Sequence, residues 1–109
     1  MRWVGKWRNQ YGSLVDITDD ADHRITGTFS TALRESGFFG HTIPVVGVHE
    51  GDCVSFTFAH HGPNGDLICS FTGLLRDGNI FMMWHVVTDN TGGWAHSVQT
   101  NMDTFERVL

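Results

Sequence analysis

The stretch ITGTFSTAL at residues 25–33 is the clearest indication of the fold in this chain of 109 residues. Its odd-numbered positions are mostly apolar, and its even-numbered positions mostly carry hydroxyl groups. Because side chains alternate between the two faces of a β-strand, this pattern predicts a strand with one face turned towards a core. The stretch VSFTF at residues 54–58 repeats the alternation. This period of two, which is not that of a helix, predicts an all-β protein.

Further stretches of strand-like character complete a set of about eight: residues 4–9, 13–18, 43–49, 67–75, 79–88 and 104–109. Short turns rich in Gly, Asn and Asp separate most of them, which is typical of antiparallel hairpins. Such strands form either a sandwich or an up-and-down barrel, and a barrel leaves no sheet edge exposed. We therefore expect one domain over residues 1–109, an eight-stranded antiparallel up-and-down β-barrel whose interior can hold one small ligand.

The composition excludes several classes of function. Lys and Arg number 7 against 12 Asp and Glu, and the net charge is -5, so the chain has no basic surface for nucleic acid or anionic lipid. No segment approaches the roughly 20 apolar residues of a membrane span. The opening MRWVGKWRN lacks the apolar run of a signal peptide. The sequence leaves localisation open, and a secreted or periplasmic mature chain remains compatible with it.

Neither a metal centre nor an enzyme is predicted. Seven histidines are present, but they lack the short spacing to Cys or Asp that builds a closed zinc site. No serine lies in a GxSxG motif, so a Ser-His-Asp hydrolase would lack its nucleophile. We therefore expect no catalytic residue, metal ligand or cofactor. His85 falls on the outward face of its strand, where a subunit contact would make association depend on pH.

The inward faces of the predicted strands combine aromatic and polar side chains. Asn9, Ser13 and Thr31 supply hydrogen-bonding groups, and the aromatic residues pointing the same way are Trp7, Phe58, Phe71 and Trp84. An apolar pocket with a few directed polar groups suits a small polar heterocycle with an apolar body. An ordinary barrel core with capped ends has the same periodicity, so the pattern alone favours neither interpretation.

Several motifs, in order along nearly the whole chain, resemble the avidin and streptavidin family of biotin-binding barrels. They are GKWRNQYGS at residues 5–13, ITGTFSTA at 25–32, FTG at 71–73, Trp84, Trp94 and DTFERV at 103–108. The resemblance implies a streptavidin-like barrel that binds biotin at its open end without catalysis. It also implies a homodimer or a homotetramer.

The resemblance further implies a role for individual residues. Asn9 and Ser13 would donate hydrogen bonds to the ureido oxygen of biotin, while Thr31 and Asp103 would accept from its two N–H groups. The side chains around the ring system and its tail would be Phe58, Phe71, Trp84, Val86 and Leu33, the last at the start of a closing loop. Trp94 would reach into the pocket of a neighbouring subunit, and Trp7 would close the bottom of the barrel.

Four positions depart from the family pattern. Phe29 replaces a tyrosine that faces the ureido group, and Phe58 replaces a tryptophan. Leu67 and Cys69 replace a serine and a threonine that reach the carboxylate and the ring sulfur, and a thiol is a poor donor. Each lost hydrogen bond costs on the order of 0.5–1.5 kcal/mol, so we expect binding weaker by about two or three orders of magnitude. The alternative is a lipocalin-like or diverged barrel that binds another small apolar ligand.

The two cysteines are expected to be free thiols. Cys53 is out of phase with the inward residues of its strand, whereas Cys69 shares the inward phase of Phe71, so the two side chains point to opposite faces.

The strand at residues 79–88 is apolar on both faces. Its outward residues form a patch too large to leave exposed to water, together with those of the preceding strand: Phe81, Met83, Val87, Ile68 and Leu74. We therefore expect a homo-oligomer in which barrel walls pack face to face.

Overall fold

The computed structural model describes residues 2–34, 39–62, 65–89 and 97–109. Eight strands follow one another in these ranges: β1 (Gly5–Asn9), β2 (Leu14–Asp19), β3 (Arg24–Ser30), β4 (Ile43–Glu50), β5 (Cys53–Gly62), β6 (Gly65–Arg76), β7 (Asn79–Thr88) and β8 (Val98–Arg107). A short 3-10 turn, Ala21–His23, lies between β2 and β3. In the part of the chain described, no helix is long and apolar enough to cross a bilayer.

The strands form a closed antiparallel barrel in which each one pairs with the next in sequence. Closure comes from the pairing of β1 with β8, which places Trp7 opposite Arg107 and Asn9 opposite Phe105. The architecture predicted from the alternating pattern is confirmed. Closure also brings the two ends of the chain together, so residues almost a hundred positions apart can build one site.

The barrel has two ends with different connections. We call one end the mouth; it carries the links β1–β2, β3–β4, β5–β6 and β7–β8. We call the other end the base; it carries the remaining links and the chain termini. Inward side chains between them form one apolar core, whose largest fully buried members include Trp3, Trp7, Phe56 and Phe105.

Several strand boundaries differ from the sequence prediction, and two of the differences have a visible reason. Strand β3, which contains the TGT motif, ends at Ser30 and not at residue 33. Beyond Ser30, the N–H groups of Ala32 and Leu33 donate to side-chain hydroxyls and not to a neighbouring strand. The last strand begins at Val98 and not at residue 104. Its first half pairs with β7 alone and is exposed, so it carries no alternation of buried and polar residues.

Hydrogen bonds to the backbone stabilise the base. One carboxylate oxygen of Asp20, Oδ2, accepts from the N–H groups of Trp3 (3.0 Å) and Val4 (3.3 Å). The indole N–H of Trp7 donates to the carbonyl of Trp3 at 2.9 Å. The guanidinium of Arg107 lies 4.2 Å from the centre of the Trp7 ring and donates to the Val4 carbonyl. Trp3 and Trp7 are thus both buried and fixed in orientation.

Candidate functional site

Three of the buried polar residues meet in the half of the barrel nearer the mouth: Asn9, Ser13 and Asp103. Asn9 ends β1, Ser13 precedes β2, and Asp103 lies on β8. Burial of polar side chains is unfavourable unless they are hydrogen-bonded, so their partners show how they are used.

The amide of Asn9 has a defined orientation. Its oxygen accepts from the backbone N–H groups of Tyr11 (3.0 Å) and Ser13 (2.9 Å), which holds the β1–β2 turn. The amide nitrogen therefore points the other way and donates to Oδ2 of Asp103 at 3.0 Å. An amide nitrogen carries two hydrogens, so one N–H of Asn9 remains for a further acceptor.

Gln10 holds the other oxygen of the same carboxylate. Its Nε2 donates to Oδ1 of Asp103 at 3.3 Å, and its own oxygen accepts from the backbone N–H of Thr104 at 3.0 Å. Sequence reasoning missed this residue, because it assigned Gln10 to a turn and had no means of placing it beside Asp103, which is 93 residues away in the sequence.

Ser13 and Thr31 form a pair of hydroxyls 3.3 Å apart. The oxygen of Ser13 accepts from the N–H of Ala32 (3.0 Å), and that of Thr31 accepts from the N–H of Leu33 (3.1 Å). A hydroxyl has one hydrogen to donate, and the bond between the two oxygens uses one of the pair's two hydrogens. One O–H is therefore left to point elsewhere.

Aromatic rings lie against one another in the interior. The ring of Phe29 stacks on Phe58 at 5.3 Å and lies 5.3 Å from Phe71, which also contacts Phe56 and Phe105. Such contacts add about 0.5–1.5 kcal/mol to the burial of the rings themselves. Phe29 is thus part of an apolar wall and supplies no hydrogen-bond donor.

Cys69 lies in the middle of this wall, between Phe58 on β5 and Val86 on β7. Its burial and, second, the nearby Asp103 carboxylate raise the pKa of the Cys69 thiol from its usual 9.0 to about 12. The group is therefore neutral at physiological pH. Cys53, at the other end of β5, is exposed, and both thiols are free as expected.

The remaining interior candidates lie on β6 and β7 near the mouth. Trp84 is opposite Phe71, and Leu67 is opposite both His60 and Thr88. Leu67, Trp84 and Val86 are half-buried and pack against the core. One candidate, Leu33, is not brought into the interior, because its side chain is exposed. Trp94 lies outside the described residues.

The arrangement supplies directed hydrogen-bonding groups beside an aromatic wall. Within residues 2–34, 39–62, 65–89 and 97–109, no three His, Cys, Asp or Glu side chains are grouped so that they could hold a metal ion. The polar groups are instead held by one another and by backbone N–H groups. Rigid donors and acceptors of this kind suit recognition of a neutral heterocycle.

Comparisons of the sequence and of the structure with known proteins point to the same family. A family model described as Avidin family matches residues 1–108. No curated protein matches the sequence significantly. Among solved structures, the chain is 25% identical to short afifavidin in its biotin complex, with a TM-score of 0.80 and coverage of 98% of this chain and 93% of that one.

Two further solved structures share the fold at lower identity. Rhizavidin in its biotin complex is 20% identical, with a TM-score of 0.82 and coverage of 96% and 92%. Apo shwanavidin is 22% identical, with a TM-score of 0.82 and coverage of 97% and 96%.

Proposed function

The chain belongs to the avidin family, and from this premise we propose that residues 1–109 form one domain that binds biotin non-covalently inside the barrel, near the mouth, without catalysis. The observation that carries the proposal is the contact between Asn9 and Asp103. It holds Nδ2 of Asn9, which keeps one N–H to donate, 3.0 Å from Oδ2 of Asp103, which keeps a lone pair to accept. A cyclic urea presents the complementary pair on one edge, a carbonyl oxygen next to an N–H.

The hydroxyl pair of Ser13 and Thr31 completes the proposed recognition of the ureido group. Ser13 and Thr31 have one spare O–H, which joins Asn9 in donating to the ureido oxygen. Thr31 and Asp103 have lone pairs for the two N–H groups. Because backbone N–H groups already hold Asn9, Ser13 and Thr31, little ordering remains to be done on binding.

Apolar side chains surround the proposed ring position. Phe58, Phe71 and Trp84 would contact the bicyclic rings, Val86 and Cys69 would contact the sulfur side, and Leu33 would lie where the tail leaves the barrel. Trp94 would complete the pocket of a neighbouring subunit, as the family resemblance implies. A purely apolar ligand, the alternative from the sequence, would leave Asn9 and Asp103 without use.

The affinity is expected to be lower than that of a pocket with a full set of donors. Phe29 donates nothing, and Cys69 is a neutral thiol and thus a weak donor. Leu67 replaces a further hydroxyl. Three missing hydrogen bonds of about 0.5–1.5 kcal/mol each weaken binding by about one to three orders of magnitude.

The outer wall supports a further part of the proposal, self-association. Exposed apolar residues cluster on β6, β7 and β8: Ile68 (55% exposed), Phe81, Met83 (49%), Val87, Val98 and Met102 (61%). Met83 is opposite Met102 and Val87 is opposite Val98, so the patch is continuous across β7 and β8. A wall of this kind fits a second copy of the chain, in a homodimer or homotetramer.

Calorimetric titration with biotin tests the proposal. We expect one site per chain, and tighter binding by the Phe29→Tyr variant by about three- to tenfold, because a phenolic O–H is restored beside the ureido oxygen. Absence of both heat and a thermal shift on the wild-type chain would refute it. Tighter binding of an apolar ligand than of biotin would favour the lipocalin-like alternative.

A further inference from the structure

Two histidines lie together at the mouth, next to the proposed pocket. His60 is near the end of β5, and its ring centre lies 4.7 Å from that of His41, which precedes β4. Neither histidine belongs to the proposed ureido site. Among the described residues, no third His, Cys, Asp or Glu joins them in a group that could hold a metal ion. What the pair can bind therefore depends on where its rings point.

The side chain of His60 points to the interior of the barrel. It is in phase with three buried residues of the same strand, Val54, Phe56 and Phe58. Across the ladder it is opposite Leu67 on β6, which packs against the core. His60 therefore lies on the inner wall, one inward position nearer the mouth than Phe58.

The tail of a bound biotin would pass His60. Phe58 and Cys69 are opposite each other at the level proposed for the rings. The next inward pair towards the mouth is His60 and Leu67, and this step of two residues covers about 6.6 Å along a strand. The tail of biotin, four methylene groups and a carboxylate, has a similar length. Its carboxylate would therefore reach the level of His60 and Leu67, where leucine offers it no hydrogen bond.

Two carboxylates and a thiol lie near the pair. Asp66 on β6 is opposite His61 and pairs with its ring. Asp89 follows β7, and its Oδ1 accepts the backbone N–H of Asp66 at 2.8 Å. Both carboxylates are exposed. Cys69, on the inner wall, is neutral at physiological pH, because burial raises the pKa of its thiol to about 12. The acidic groups thus lie towards solvent, and the thiol adds no charge to the inner wall beside His60.

We propose that His60, with His41 beside it, binds the carboxylate of free biotin, and that this contact strengthens as the imidazoles gain protons. The inference rests on the proposed function. A protonated imidazole donates from both ring nitrogens and carries the charge opposite to that of a carboxylate. Such charge-assisted hydrogen bonds are roughly twice as strong as neutral ones. His60 thus supplies from β5 the contact that Leu67 on β6 cannot make.

Titration of the wild-type chain with two ligands tests the proposal: free biotin and its neutral N-methyl amide. The pH is lowered from about 8 to about 5.5, through the range where histidine titrates, while an aliphatic carboxyl like that of Glu stays mostly ionised. We expect the affinity for free biotin relative to the amide to rise by about three- to tenfold. The ratio of the two affinities cancels any effect of pH on association between copies. High salt should reduce the rise, because it screens charges.

Variants at the mouth identify the source of the rise. His60→Gln keeps a polar side chain without a charge and should abolish most of it, and His41→Gln should reduce it. His61→Gln is the matched control, because it removes the adjacent imidazole, which is exposed, and should leave the rise unchanged. Arg34→Gln, which removes a permanent positive charge from the β3–β4 link, should also leave it unchanged.

The outcomes separate this inference from the proposed function. Failure of both ligands to bind at either pH would overturn both. Binding of both ligands with an affinity ratio that does not change with pH would overturn the inference alone, and the wild-type chain decides this whether or not a variant folds. A rise that is undiminished in folded His60→Gln, or that disappears in His61→Gln or Arg34→Gln, would also overturn it.

Discussion

The two ends of the barrel use buried polar groups in different ways. At the base, Asp20 accepts two backbone N–H groups through one oxygen, and the ring N–H of His49 donates to its carbonyl at 2.7 Å. Near the mouth, Asn9 and Asp103 bond to each other through their side chains and keep further donor and acceptor capacity. The same eight strands thus form one end that stabilises the fold and one that can receive a ligand.

This difference predicts that substitutions at the base change stability and those near the mouth change binding. The largest effect is expected for Trp3→Ala, because the side chain is fully buried. Loss of such a ring costs about 3–5 kcal/mol of unfolding free energy. Denaturant unfolding measures it, and Trp3→Phe, which keeps most of the volume, serves as the milder control. If folded Trp3→Phe lost biotin binding, the division between the two ends would be wrong.

Asp103→Ala is expected to have the largest effect on binding. It removes the proposed charged acceptor and leaves Asn9 without its partner, which costs about 1.5–3 kcal/mol, or about 10- to 150-fold in affinity. Titration with biotin measures the loss. Glu106→Ala, on the outward face of the same strand, is the matched control and should bind as the wild type does. Equal affinities for the two variants would contradict the assigned role of Asp103.

Gln10→Ala tests positioning at a smaller scale. It removes the hydrogen bond to Oδ1 of Asp103 without removing a proposed ligand contact, so we expect a loss of about 0.5–1.5 kcal/mol in binding. Glu106→Ala, an exposed residue on the outward face of β8, is again the control. If Gln10 acts through Asp103, the loss should disappear when Gln10→Ala is introduced into Asp103→Ala. Additive losses would instead show an independent role.

Cys69 provides a test that needs no ligand. Its pKa is about 12 in the folded chain against 9.0 ordinarily, so the unfolded chain releases this proton first. The free energy of unfolding should therefore be unaffected below about pH 9 and fall between about pH 9 and 12. Cys69→Ala should weaken that dependence, whereas Cys53→Ala should not. In the native chain, alkylation should label Cys53 and spare Cys69, and mass spectrometry counts the adducts.

His85 tests the proposed outer interface with the smallest expected change. It is exposed between Met83 and Val87 on the outer face of β7. A proton on its ring would bring a charge into an apolar contact between copies, so association should weaken as the pH is lowered through the range where histidine titrates. Light scattering with size-exclusion chromatography measures it. The His85→Gln variant should associate to the same extent at every pH in this range. If association of the wild-type chain did not change with pH either, His85 would not lie in the contact between copies.

The sequence predicted the barrel but only part of its detail. Alternation in residues 25–33 and 54–58 is a local property, so strands and their inward faces followed from it. The contact between Asn9 and Asp103 depends on closure of β1 against β8, which no local pattern encodes, and only the family resemblance related the two. Gln10 was missed for the same reason.

The proposed site is tested most directly by recording which signals in the ¹⁵N–¹H spectrum of the chain change when biotin is added. We expect the side-chain amide of Asn9 and the backbone N–H groups of Ser13 and Leu33 to shift. The indole N–H groups of Trp3 and Trp7 at the base should keep their positions. Shifts confined to the base, or a spectrum that biotin leaves unchanged, would contradict it.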